Sequence, residues 1–130
     1  MKILTATLMI LLVMGMTVFA RTPETLVLKA GQQKRSKVSG LTVKFVSVIE
    51  DSRCPVGTNC VWAGNAKVKV LITGTQASKT FEFNTTVGPK GDIWEGWSIT
   101  IDSLTPEPHA GKPTDPRRYQ ATFNIVRLTR

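Results

Sequence analysis

Two cysteines, one histidine and nine carboxylates are the side chains of this 130-residue sequence most able to do chemistry. Their spacing limits what that chemistry is. Cys54 and Cys60 enclose Pro55, Val56, Gly57, Thr58 and Asn59. A turn built from Pro, Gly and Asn folds back readily enough to bring two Cα atoms within disulfide range. Two thiols this close in an oxidising compartment pair, and in the chain-entropy model the small ring they close is worth about 2 kcal/mol. A structural zinc site wants four Cys or His ligands, and the single histidine, His109, is distant in sequence. A redox-active pair shows a two-residue spacing at a helix start. The cysteines therefore read as a structural disulfide, and no metal or cofactor is expected.

Catalytic readings are equally constrained. A Ser-His-Asp hydrolase needs a nucleophile beside its base, but His109 lies in Pro108-His109-Ala110-Gly111 and no G-x-S-x-G occurs. It reads as a solvated loop histidine. Glu50, Asp51, Asp92, Glu95 and Asp102 include possible glycosidase pairs. Asp51, two residues before Arg53, reads instead as a turn cap or local ion-pair partner. The chain is read as non-enzymatic, with a small hydrolase as a second alternative.

The elements that position these residues follow a leader. Met1 and Lys2 precede an uncharged apolar run over residues 3–18, and Val18-Phe19-Ala20 offers a signal-peptidase site. Residues 1–20 are expected to be a signal peptide cleaved after Ala20; the alternative is an uncleaved anchor. After cleavage no transmembrane span is expected, and residues 21–130 have the length of one domain. The leader carries one of the 17 Lys and Arg and none of the 9 Asp and Glu, so the remainder keeps 16 against 9, a net charge of +7.

Hydrophobic period decides the class. Trp97, Ile99 and Ile101 alternate with Ser98, Thr100 and Asp102, and Val68, Val70 and Ile72 alternate with Lys67, Lys69 and Thr73 apart from Leu71. Phe81-Glu82-Phe83-Asn84 repeats the pattern, and Leu26-Val27-Leu28 suits an edge strand. Two-residue periods mark half-buried strands. In Leu41-Thr42-Val43-Lys44-Phe45 the odd positions are apolar, whereas Val46 and Val48 move to the even ones. Tyr119, Ala121, Phe123 and Ile125 likewise give way to Val126 and Leu128. A bulge, or a corner between sheets, resets parity in this way. Residues 31–40, 74–78, 88–96 and 103–118 read as connections. The expectation is an all-β, antiparallel Greek-key-like sandwich of about seven strands, with a small β-barrel as the alternative.

Asp51-Ser52-Arg53-Cys54-Pro55, then Cys60-Val61-Trp62-Ala63-Gly64-Asn65-Ala66 and an alternating strand, then Leu104-Thr105-Pro106-Glu107-Pro108 and a Tyr-x-Ala-x-Phe strand, resembles a group of small secreted bacterial proteins and lipoproteins of unassigned function. The likeness spans about residues 41–125, and its specific part is residues 51–66. It implies an all-β fold and brings no activity with it. This chain has no Cys at the end of its leader to carry a lipid.

Three surfaces compete for a binding role. The first is the closed loop, with Asp51, Arg53, Pro55, Val56, Gly57, Thr58 and Asn59, which a rigid sheet would present pre-organised. The second is Trp94, set in Gly91-Asp92-Ile93-Trp94-Glu95-Gly96 as if in an open loop, while Trp62 and Trp97 read as core. The third is charge, with Lys34, Arg35 and Lys37 in one run, Lys67 and Lys69 on one strand face, and Arg117 and Arg118 late in the chain, a candidate field for anions. Aromatics are not interleaved with these cations, so nucleic acid is disfavoured. Asn84-Thr85-Thr86 matches a glycosylation acceptor, which a bacterial source would leave unused. The expectation is a secreted or periplasmic, non-catalytic binding module for an unknown protein or an anionic envelope component. An inhibitor of a secreted enzyme acting through the Cys54–Cys60 loop is the alternative.

Overall fold

The computed structural model describes residues 22–129, so the leader and its cleavage point lie outside the described residues. The alternating segments become eight strands: β1 (Glu24–Lys29), β2 (Gln33–Arg35), β3 (Thr42–Asp51), β4 (Ala66–Thr73), β5 (Ser78–Asn84), β6 (Gly91–Trp94), β7 (Trp97–Thr105) and β8 (Gln120–Arg127). They form two antiparallel four-stranded sheets, ordered β1-β8-β7-β6 and β2-β3-β4-β5. In the first sheet three consecutive strands lie together and β1 sits beside β8, although the whole second sheet separates the two in sequence. That is a Greek-key-like arrangement. The sandwich forms as expected, and its ladders do not join into a closed barrel.

Alternation fills the space between the sheets. Along β4, Ala66, Val68, Val70 and Ile72 are buried while Lys67 and Lys69 point outward. Phe45 meets Phe123 across the layers in an edge-on pair with centroids 6.2 Å apart, and Phe83 approaches the same ring at 6.4 Å. Fully burying a side chain of this size stabilises the fold by about 1.5–3 kcal/mol.

The parity change in β3 is a bulge. Phe45 faces Val70 and Ser47 faces Lys69, leaving Val46 as the extra residue, and a second irregularity falls at Ile49. The parity change at the chain's end has another cause. β8 stays in register there, the irregularity lies across from it between Ile101 and Ser103 of β7, and Val126 and Leu128 are exposed beyond the last core residue, Ile125.

The strand count also needs correction from about seven to eight. β2 lies inside a stretch read as a connection, as does β6. β2 contributes no buried side chain and is held by its ladder to β3.

Two seams between the sheets lack a ladder. At the first, Lys34 Nζ donates to the Val27 carbonyl (2.9 Å), and the Glu24 carboxylate accepts from Ser36 Oγ and from the Lys37 amide (2.9 Å). At the second, the Asn84 amide donates to Pro89 O and the Ile101 amide to Lys90 O, both at 2.8 Å. There too Glu95, in the β6–β7 turn, accepts from Thr75 N and Oγ1 in the β4–β5 turn. Side-chain carboxylates thus join the layers where backbone pairing stops.

Candidate functional site

β3 ends at Asp51, and the chain then runs through the cysteine loop before returning as β4. The cysteines are joined, with Cα atoms 5.8 Å apart. Thr58 Oγ1 and Thr58 N both donate to Pro55 O inside the ring, and the Val56 amide donates to Pro108 O at 2.8 Å. The ring is therefore tied to the Pro-rich connection between β7 and β8.

Arg53 anchors the base of this loop. Its Nε and Nη2 donate to the two oxygens of Asp51 at 2.8 Å each, Nη1 reaches Leu104 O at 2.6 Å, and Nη2 also reaches Pro106 O at 2.8 Å. Tyr119 Oη donates to Asp51 Oδ2 at 2.9 Å, so one carboxylate links both sheets. The Arg53 and Asp51 side chains are only 13 % and 10 % exposed. Burial disfavours the charged form of Asp51, but the bonds from Arg53 and Tyr119 and the Arg53 charge outweigh it, and the carboxyl lies below its ordinary value. Burial, then the bond to Asp51, pushes Tyr119 upward.

The other half of the motif is structural as well. Gly64 has φ +70°, and a Cβ there would fall 1.9 Å from Ser52 O, so the two limbs of the loop approach backbone to backbone. The Ser52 amide donates to Asn65 O at 2.7 Å. Asn65 Oδ1 accepts from the Thr86 and Val87 amides at 3.0 and 3.1 Å, and its Nδ2 donates to Asn84 Oδ1. Asn84 is buried and bonded to Pro89 O as well, so the glycosylation acceptor is closed off.

The large apolar side chains this stretch leaves to solvent are Val61 and Trp62, at 91 % and 82 % exposure, and Val56, which is exposed on the ring together with Gly57, Thr58 and Asn59. Two tryptophan expectations are therefore corrected. Trp62 is a surface residue, in the segment between the ring and the close backbone approach at Gly64. Trp94 lies in β6 rather than in an open loop, with its indole edge-on to Phe81 at 5.9 Å and packed on the core. Trp97 packs on the core as expected, with the Arg127 guanidinium 5.7 Å from its ring.

Beside Trp62 is an open groove of about 430 Å³ lined by Glu50, Ser52, Ala63, Gly64, Asn65, Thr86 and Val87. Sequence reasoning missed it, because the two limbs of the cysteine stretch form it only together with Thr86 and Val87, about twenty residues further on.

The candidate anion-binding residues do not form one field. Arg35, Lys67 and Lys69 lie on the outer face of one sheet, but Lys67 faces Glu50 and Lys69 faces Glu82 across the ladders. Lys34 caps Val27 O, and Lys37 lies beside Glu24. Arg117 is bound through two nitrogens to Asp115, at the start of the 3-10 turn before β8, while Arg118 lines a cleft of about 200 Å³ together with Glu107, His109, Lys112 and Asp115. Of the candidate glycosidase acids, Asp51 and Glu95 are held by the bonds above and Asp92 accepts from the Ile93 amide.

Among the described residues, no group of three or more His, Cys, Asp or Glu is placed to hold a metal ion, and no helix is long and apolar enough to cross a membrane. Comparison of the chain with protein-family models, with curated proteins and with solved structures finds no match.

Proposed function

We propose that the protein is an exported, non-catalytic binding module that docks a protein partner through Val61 and Trp62, beside its disulfide ring. The observation that carries this reading is the 82 % exposure of Trp62 on a loop held on one side by the Cys54–Cys60 disulfide and on the other by the backbone bonds of Ala63 and Asn65. Tryptophan is rarely so open to water, and when it is held rigidly it supplies large contact area at small entropic cost. The disulfide suits an oxidising compartment, and the leader suits export. Two of the candidate acids support the non-catalytic reading, because Asp51 and Glu95 are occupied in joining the sheets. A polyanion partner is less favoured, because acids interrupt the cations on the outer sheet face. Blocking a secreted enzyme is a narrower form of the same docking.

The immobilised protein, challenged with envelope and secreted fractions, is expected to retain one protein species at about 1 M salt, where exposed charges are screened beyond about 3 Å. Trp62→Ala is expected to abolish capture and Lys69→Gln to leave it unchanged. Elution by salt alone, or undiminished capture by Trp62→Ala, removes this reading.

A further inference from the structure

The groove beside Trp62 differs in charge from the rest of the chain. The sequence carries a formal net charge of +8, yet the groove lining holds one acid, Glu50, and no base. Glu50 forms no ion pair among the described residues, although Lys67 faces it across the β3–β4 ladder. Ser52 and Asn65 of the lining are already engaged, and the Thr86 hydroxyl lies 3.4 Å from that of Thr85. Ser52 Oγ donates to Asn65 O and accepts from the Asn65 amide, while Asn65 Oδ1 holds two amides. An occupant therefore meets a flat indole, the apolar Val87, the Thr86 hydroxyl and one carboxylate that closes no ion pair, its cross-strand neighbour Lys67 lying outside the lining.

Resting on that docking reading, we infer that the groove receives a positively charged side chain, an arginine or lysine presented by the partner protein, held between the Trp62 indole and Glu50. A guanidinium stacks on an indole face and bonds a carboxylate in the same plane, while its aliphatic stem covers apolar surface. A sugar would stack as well, but its hydroxyls need several free donors and acceptors, and Ser52 and Asn65 offer few. An anionic group would meet Glu50 with no cation in the lining to receive it.

The test follows the Trp62 indole N–H signal by NMR as acetyl-arginine amide is added to the intact protein. Trp62→Phe assigns the signal, and unchanged Trp94 and Trp97 signals certify the fold of each variant. The expected result is a saturable shift confined to Trp62, weakened about 5-fold or more by Glu50→Gln and by replacing the probe with its neutral isostere, acetyl-citrulline amide. An equal response to the citrulline probe, a stronger response to N-acetylglucosamine, or no response to arginine overturns the inference. The two readings fail separately. Capture lost on Trp62→Ala but indifferent to Glu50→Gln keeps the docking and removes the cation, whereas capture indifferent to Trp62→Ala removes the docking itself.

Discussion

Arg53 is the residue on which the base of the loop depends, because it both neutralises Asp51 and satisfies two carbonyls of the opposite sheet, Leu104 O near the end of β7 and Pro106 O just past it. Arg53→Met keeps the aliphatic stem but leaves the largely buried Asp51 carboxylate without its neutralising charge, with only the Tyr119 hydroxyl and the backbone amide of residue 53 as donors. Removing one member of a buried pair costs about 3 kcal/mol, whereas Tyr119→Phe removes a single hydrogen bond and costs about 1 kcal/mol. Urea midpoints of the two variants check the ordering; equal losses would show that Arg53 does no more than one ordinary donor. The sequence made part of this legible. Asp51 and Arg53 are two residues apart, and local pairing is what such spacing favours. Tyr119 is 68 residues from Asp51, and nothing in a one-dimensional pattern joins them. Trp62 misleads for a different reason: its apolar type points inward, while its 82 % exposure is set by the course of a loop that lies outside every strand.

At the scale of elements, the β6–β7 hairpin shows a local preference overridden by a contact. Its two turn residues, Glu95 and Gly96, have φ of 49° and 82°, the pattern of a two-residue turn that favours Asn-Gly. Glutamate at the first position costs about 1–2 kcal/mol of backbone strain, offset by the carboxylate's bonds to Thr75. Glu95→Asn should relieve the strain and cut the bridge, leaving global stability within about 1 kcal/mol while the Thr75 amide loses protection in hydrogen exchange. Retained protection at Thr75 would mean that the bridge does not hold the two turns. The strands that alternation missed share a cause. Gln33-Lys34-Arg35 has no buried face for a two-residue period to register, and Gly91-Asp92-Ile93-Trp94 buries only part of its last residue. β3 was readable through its bulge because Val43 and Phe45 on one side of it and Val48 on the other all face the core. β8 was misread because exposure past the core and a true bulge give the same change of parity.

For the whole molecule, carboxylates take over where the ladders stop, and this makes the sandwich sensitive to pH at both ends of the scale. Burial works against the charge of Glu24, but its bonds from Ser36, Lys37 and Val38 prevail and hold it below its ordinary value of 4.5. Asp51 lies below its ordinary 3.8 in the same way. A carboxyl that is more acidic in the fold than in the unfolded chain contributes fully above its unfolded pKa. Between the two values the unfolded state binds more protons, so that contribution falls as pH falls, until it is lost below the folded pKa. Tyr119 has the opposite sign. Burial and its bond to Asp51 raise it above 10.0, so its contribution is complete below that value and fades as pH rises through the folded pKa. The expected urea midpoint is therefore level near neutrality and declines at each extreme. On the acid side the first decline belongs to Glu24, whose unfolded pKa is the higher, and the next to Asp51. Glu24→Gln should remove the earlier part of the acid limb and Asp51→Asn the later part, while Tyr119→Phe should flatten the alkaline limb and, by taking a donor from Asp51, also shrink the later part of the acid limb. A midpoint unchanged from neutrality to about pH 2 would mean that these carboxylates are equally stabilised in the unfolded chain, and the seams would then owe their closure to the apolar core between them.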